Sequence, residues 1–163
     1  AFIPNLKKNF TLMDDFDQKY FIYQKLNWEF GNIPHFNNLP FGNRGIWDKA
    51  SMLADWMNGL AEEQIDAAEL LNDVDPQVVA LGEAKQLYDR LLQEQNRLDF
   101  ATIQATAYRL LENNEEILEK YQELFHYMMI DEYQDTNSIQ ERLISLLSKT
   151  NNICVAGDDD QSM

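Results

Sequence analysis

The sequence is poor in the residues that would build a disulfide framework, a zinc site or a membrane span. Cys154 is the only cysteine, which excludes an internal disulfide, and two histidines leave few zinc ligands. No run of about 18 apolar residues occurs, so a helical membrane span is not expected. The first residues lack the apolar core of a secretory signal, which favours a cytoplasmic protein. Within its apolar run, Cys154 itself is predicted to be a small buried hydrophobe.

Positive charge is also scarce, and its distribution is uneven. The chain has 13 Lys and Arg against 28 Asp and Glu, a net charge of −15. Residues 1–60 are neutral, whereas residues 61–163 carry seven basic and 22 acidic residues. Because nucleic-acid binding draws on neutralised phosphates, the acidic part is a poor DNA surface by itself. If the chain contacts duplex DNA, the contact is expected from the basic residues of the neutral part; the alternative is that these are ordinary surface charges. The residues are Lys7, Lys8, Lys19, Lys25, Arg44 and Lys49.

Helical patterns dominate the first 125 residues. Thr11 is predicted to cap a first helix, on which Phe16, Tyr20, Tyr23 and Asn27 share one face with Phe30 nearby, forming an aromatic stripe. The stripe is interpreted as a core face, with a base-stacking platform as the alternative. Further helices are predicted over 46–58, 61–71, about 76–97, about 100–111 and about 115–125. Gly59 is expected to end the first of these helices. Asp75, Asp99, and either Asn113 or Asn114 are expected to cap the starts of the last three.

The pattern changes near residue 127. Two short apolar runs, 127–130 and 152–156, enclose a segment with helical spacing at 138–149. Strand, helix, strand with fully apolar strands is typical of a βαβ unit in a parallel sheet. We therefore expect a mostly α chain with a small α/β part, in which two strands form only a fragment of a larger sheet.

The first apolar run ends in acids, in the segment Met128-Met129-Ile130-Asp131-Glu132-Tyr133-Gln134-Asp135. A strand that ends in Asp-Glu is the Walker B arrangement, although acids also follow strands simply because loops are solvated. The carboxylates would reach the crevice at the carboxyl edge of the sheet. There Asp131 can hold Mg²⁺, and Glu132 can accept a proton from the water that attacks the γ-phosphate of ATP.

The second apolar run leads into Gly157-Asp158-Asp159-Asp160-Gln161-Ser162. Taken alone, this segment is a solvated acidic loop or a generic cation site. A metal-binding helical protein that uses Asp158, Asp159 and Asp160 is therefore one alternative. Its weakness is that neither His35 nor His126 stands at ligand spacing.

Together, Asp131 to Thr136 and Gly157 to Ser162 closely resemble motifs II and III of UvrD/Rep-type (superfamily 1A) DNA helicases. The resemblance implies Mg²⁺ binding by Asp131, general-base catalysis by Glu132 and γ-phosphate sensing by Gln161. It also implies an ATP-dependent helicase that translocates 3′ to 5′ on single-stranded DNA, acts at duplex junctions and serves functions such as DNA repair. Over residues 98–163 the likeness is strong and implies a partial P-loop, RecA-like motor domain. The looser part, 1–97, would be the helical insertion subdomain, which touches duplex DNA in this family.

A phosphate-binding loop of the form G-x-x-x-x-G-K-[ST] is missing from the sequence. In the family this loop lies before residue 1, motif III continues past Met163, and a second motor domain follows. We therefore expect an internal piece of a longer helicase, inactive by itself because phosphates need backbone amides and a lysine as well as metal carboxylates. The alternative is a truncated, non-catalytic module that keeps DNA or protein contacts.

Overall fold

A computed structural model describes residues 6–148 and 152–158. These residues form two compact units. The first, here called the helical unit, covers residues 6–103, and the second, the strand unit, covers 104–148 and 152–158. None of the helices in these ranges is long and apolar enough to cross a membrane.

The helical unit packs its helices around one main buried apolar cluster. Its elements are β1 (Thr11–Leu12), α1 (Asp15–Lys25), two 3-10 turns (Phe30–Asn32 and Phe36–Asn38), α2 (Ile46–Glu62), α3 (Ala67–Leu70), α4 (Pro76–Gln95), β2 (Arg97–Leu98) and the start of α5 (Phe100–Glu112). A mostly α chain with a small α/β part was expected, and the structure, mostly helical with small parallel sheets, confirms that coarse class.

Three of the predicted boundaries are confirmed by side-chain caps. Asp75 accepts a hydrogen bond from the backbone N–H of Gln77 and Pro76 opens α4, as the Asp-Pro signal predicts. Asp99 accepts from the N–H of Thr102 at the start of α5. Asn114 likewise accepts from the N–H of Ile117 in the next helix. Local capping chemistry therefore predicts these helix starts correctly.

The predicted start of α1 at Thr11 is wrong. Thr11 and Leu12 form β1, which pairs in parallel with Arg97 and Leu98, and Asp14 is the actual cap. Thr11 donates from its backbone N–H to the carbonyl of Asn96, a residue 85 positions away in the chain. The same pairing ends α4 at Gln95, before the predicted end near Arg97. Asn96 adopts a left-handed conformation (φ 51°), and Arg97 continues as an extended strand. A contact so distant in sequence leaves no local signal.

The interpretation of the aromatic stripe as a core face is also wrong for its three rings on α1, although the nearby Phe30 is buried. Phe16, Tyr20 and Tyr23 are exposed, Phe16 to 64%, whereas Phe21 and Ile22 on the other face of α1 are buried. Both faces of the helix are apolar enough to compete for the core. The face with Phe21 and Ile22 joins the buried cluster that also contains α2 and α4 residues.

Two further helices differ in length from their predictions. Gly59 does not end α2, which continues to Glu62 because Leu60 and Ala61 extend its buried face. Gln64, two residues after the last residue of α2, reverses the chain, because its φ of 61° lets the Ile65 N–H donate back to the carbonyl of Leu60. The predicted helix over 61–71 is reduced to α3, four residues long.

Polar side chains form a buried chain of hydrogen bonds inside the helical unit. The Gln18 amide, 2% exposed, donates to Asn58 Oδ1 at 2.7 Å and to the Tyr88 hydroxyl at 3.0 Å. The Tyr88 hydroxyl donates to Asp99 Oδ2 at 2.6 Å, and the Thr102 hydroxyl donates to the same oxygen. The chain links α1, α2 and α4 to the cap of α5. Burial, and then the charge of Asp99, raises the pKa of Tyr88 well above its ordinary value.

The strand unit contains the predicted strand, helix, strand order. Its elements are the rest of α5, α6 (Glu115–Leu124), β3 (Met128–Ile130), a 3-10 turn (Tyr133–Asp135), α7 (Ser138–Leu147) and β4 (Ile153–Val155). The strands pair in parallel, with Met129 opposite Cys154 and Ile130 opposite Val155. The predicted parallel βαβ arrangement is thereby confirmed for the described residues.

Cys154 is exposed, so its predicted burial is wrong. Its cross-strand neighbour Met129 is 85% exposed, and the two side chains lie on the same face of the strand pair. The cysteine was expected to be buried because a fully apolar strand usually belongs to a sheet covered on both faces. Within the described residues, this face of the two-stranded sheet stands uncovered.

Candidate functional site

The motif acids lie where two parallel strands end side by side. After β3 the chain continues into Asp131 and Glu132, and after β4 it continues into Gly157 and Asp158. Because the strands are parallel, both segments leave the same edge of the sheet. Backbone hydrogen bonds extend the pairing beyond the strands, from Ala156 N–H to the Ile130 carbonyl at 2.8 Å and from Tyr133 N–H to the Ala156 carbonyl at 3.0 Å.

Glu132 has a backbone conformation unusual for its residue type. Its φ of 51° and ψ of 43° place it in the left-handed region, where a side chain other than that of glycine is uncommon. The turn is stabilised because the Glu132 carbonyl accepts from Asp135 N–H at 2.9 Å and Asp131 Oδ1 accepts from Glu132 N–H at 3.0 Å. Such strain is often found at functional sites, where neighbouring contacts fix the backbone.

Gln134 bridges the two strand-end segments. Its amide nitrogen donates to Glu132 Oε2 at 2.6 Å, and its amide oxygen accepts from the backbone N–H of Asp158 at 3.0 Å. Gly157 permits this approach, since a Cβ at that position would lie 2.7 Å from Gln134 Oε1. The sequence reasoning assigned no role to Gln134. Its place inside the motif was a signal, but the distance of 24 residues to Asp158 gives no clue to the contact.

Beyond the motif the chain turns directly into α7. Asn137 caps this helix by accepting from Gln140 N–H at 3.0 Å, while Gln140 Oε1 accepts from Asn137 N–H at 3.2 Å. This reciprocal capping box fixes the direction of α7 immediately after the acids. The charge of Glu141, in the first turn of α7, raises the pKa of Tyr133.

The carboxylate ligands at the strand ends suit a magnesium ion better than a metal whose ligands all come from the protein. Asp131 offers an exposed hard-oxygen ligand, and Mg²⁺ commonly takes one or two carboxylates and completes its shell with water and phosphate oxygens. In the ranges 6–148 and 152–158, no three His, Cys, Asp or Glu side chains come together as a metal cage. Asp159, Asp160 and the predicted sensor Gln161 lie outside the described residues.

Comparison with known proteins agrees with the motif geometry. The family model of the UvrD/REP helicase N-terminal domain matches residues 2–163. The chain belongs to the UvrD/Rep helicase family. The family predicted from the two motifs is thereby confirmed.

Curated relatives in this family extend well beyond the chain. The ATP-dependent DNA helicase PcrA of Staphylococcus aureus strain Mu50 is 36% identical over 159 residues, which make up 97% of this chain and 20% of that protein. The protein of the same name from Staphylococcus epidermidis strain RP62A shows the same identity and coverage. The UvrD/Rep chain described here therefore spans about a fifth of the length of these relatives.

Proposed function

We propose that the chain is the part of an ATP-dependent DNA helicase that contributes the metal-binding and water-activating carboxylates of the motor. The observation that carries the proposal is the meeting of Asp131 and Glu132 with the Gly157–Asp158 segment at one sheet edge, bridged by Gln134. The parent protein would act in the cytoplasm, bind single-stranded DNA and duplex junctions, and translocate 3′ to 5′. Residues 1–97 would form its helical insertion subdomain and residues 98–163 part of its RecA-like motor domain.

In this proposal each side chain has a distinct task. Asp131 holds Mg²⁺, and Glu132 orients the attacking water and accepts its proton. Mg²⁺, when bound, neutralises charge that develops on the phosphate oxygens. Gln134 holds the Glu132 carboxylate by its amide and reaches the segment that leads to Gln161. Gln161 would report the presence of the γ-phosphate, because an amide can donate to a phosphate oxygen and accept from a neighbour.

The basic residues of the helical unit support at most a limited role in duplex binding. Lys19 pairs with Asp15 at 2.8 Å, Lys25 pairs with Glu29 at 3.2 Å, and Arg44 donates to the carbonyl of Phe41. Three of the six basic side chains therefore already bind to groups of the protein itself. We therefore propose that DNA binding by the parent rests mainly on parts of the protein other than this chain.

The test is ATP hydrolysis by the full-length parent protein with single-stranded DNA. Glu132→Gln is expected to lower kcat by about 10²–10⁴-fold while nucleotide binding persists, because a general base is lost but the site remains. Asp131→Asn should weaken Mg²⁺ binding, so that hydrolysis requires a higher Mg²⁺ concentration. Glu119→Gln, an exposed carboxylate on α6, is the matched control and should behave as wild type.

The 163-residue chain itself should show no DNA-stimulated hydrolysis. Measurable turnover by the purified chain would contradict that expectation. Full activity of the Glu132→Gln parent would exclude Glu132 as the base, whereas a wild-type parent that hydrolyses no ATP would favour the non-catalytic module.

A further inference from the structure

Four aromatic side chains form a closed exposed cluster on α1 and α2 of the helical unit. We call Phe16, Tyr20, Tyr23 and Trp47 the aromatic patch. Trp47 lies 5.7 Å from both Phe16 and Tyr23, measured between ring centroids, and Tyr20 lies 6.2 Å from Phe16 and from Tyr23. The rings touch one another but do not enter the core, and each remains more than a third exposed.

Such a surface requires an explanation beyond folding. Single exposed aromatics are ordinary, but contiguous exposed apolar groups commonly mark an interaction site. The patch contributes no ring to the buried cluster, which takes Phe21 and Ile22 from the opposite face of α1. Its rings are consequently free to stack against a partner.

The charges around the aromatic patch are negative. Asp15 and Asp17 flank Phe16 in the chain, and Asp48 follows Trp47; all three are exposed. Asp55, further along α2, is also exposed. Both Asp15 and Asp55 act electrostatically on Lys19, which shows that the acids of the two helices share one neighbourhood.

The nearby cations are directed away from the patch or neutralised. Lys19 is bonded to Asp15, and Lys25 pairs with Glu29 while lying 5.3 Å from the centroid of the Phe21 ring. Lys49 lies 5.7 Å from the centroid of Phe41, a buried ring outside the patch. Base-stacking surfaces combine aromatic rings with a positively charged groove for the phosphates, and this patch has the opposite electrostatic character.

We propose that the aromatic patch is a docking surface for an arginine-rich protein segment. Guanidinium groups stack on aromatic faces and are more weakly hydrated than ammonium groups. The same groups can pair with the surrounding aspartates, so the rings and the acids select one kind of partner together. This inference concerns a face of the helical unit and does not depend on the ATP site.

The experiment uses the 163-residue chain and a short fluorescently labelled peptide that alternates Arg and Ser. Fluorescence anisotropy should show saturable binding that weakens with salt, because charge pairing contributes. Trp47→Ala should weaken binding by at least about five-fold, as should Asp17→Asn combined with Asp48→Asn. Trp28→Ala is the matched control, because Trp28 is 77% exposed and lies outside the patch. Circular dichroism establishes that each variant remains folded.

Two further probes decide between partners. A peptide with Lys in place of Arg should bind more weakly, and an oligothymidine strand should neither bind nor compete. Absence of peptide binding, or equal binding by the Trp47→Ala and wild-type chains, would overturn the proposal. Oligothymidine binding that disappears in Trp47→Ala would also overturn it and would assign the patch to nucleic acid.

Discussion

The two units place similar apolar sequences in opposite surroundings. The helical unit closes a core around side chains such as Phe30, which is fully buried, and satisfies its interior polar groups through the Gln18–Tyr88–Asp99 chain of hydrogen bonds. The strand unit has an apolar strand pair whose Met129 and Cys154 face stands open. An apolar run in a sequence therefore indicates a preference for burial, but whether the run is buried depends on which other elements pack against it.

The largest expected effect follows from removing one apolar side chain in each unit. Phe30→Ala should lower the free energy of unfolding by about 3–5 kcal/mol, because a buried ring is replaced by a cavity. Met129→Ala should change it by less than about 0.5 kcal/mol, since Met129 is already in solvent. Urea unfolding of the chain followed by circular dichroism measures both. Tryptophan fluorescence isolates the helical unit, which contains Trp28, Trp47 and Trp56.

A large loss for Met129→Ala would break the comparison, because it would show that the strand pair is covered in solution. One source of such cover is self-association through the exposed apolar strands. Repeating the measurement at several protein concentrations separates self-association from folding within one chain.

The helix caps give the second contrast. Asp99→Ala should cost about 2–4 kcal/mol, because it removes the cap of α5 and leaves the buried hydroxyl of Tyr88 without its acceptor. Asn114→Ala removes only the half-exposed cap of α6 and should cost about 0.5–1 kcal/mol. Urea unfolding again provides the values. Similar costs for the two variants would mean that the buried polar chain adds nothing beyond ordinary capping.

Alkaline pH should affect the helical unit through Tyr88. Burial and the charge of Asp99 raise the folded pKa of this phenol above the unfolded value of about 10. Its contribution to stability is therefore complete below pH 10 and declines as the pH rises above it, when the unfolded chain releases the proton first. Urea midpoints from tryptophan fluorescence at rising pH should fall for the wild-type chain.

Tyr88→Phe is the control for that titration, because it removes the ionisable group and keeps the ring. The variant should lose part of the decline above pH 10. An unchanged pH profile would assign the decline to other groups, such as the Lys19–Asp15 pair, whose hydrogen bond raises the pKa of Lys19.

The smallest effect concerns two glycines. Gly59→Ala should stabilise the helical unit by about 0.5–1 kcal/mol, because Gly59 lies inside α2 and an added Cβ would meet nothing within 4 Å. Gly157→Ala should give no such gain, because its Cβ would press on Gln134 Oε1. Thermal unfolding compares the two variants. If Gly157→Ala stabilised the chain, the Gln134 side chain would have to move readily to make room for the added Cβ, and its bridging position would not be rigid.

Three helix starts were predicted correctly from local signals, although the equally local cap at Thr11 and helix end at Gly59 were wrong. Asp75-Pro76, Asp99 and Asn114 predicted helix starts because a cap needs only a side chain and the backbone N–H groups a few residues away. The apolar runs that bracket a helical segment predicted the parallel strand pair correctly. The two motifs together, Asp131 to Thr136 and Gly157 to Ser162, also predicted the family correctly, although the roles of Asp131, Glu132 and Gln161 stay predictions.

The sequence by itself thus determined the starts of three helices, the strand-helix-strand order and the family. Only the tertiary structure decided which face of α1 is buried, because both faces are apolar and the choice depends on helices far along the chain. It likewise decided that Thr11 pairs with Arg97 and that Gln134 joins Glu132 to Asp158. These contacts join residues that are distant in sequence, and their geometry exists only after the chain has folded.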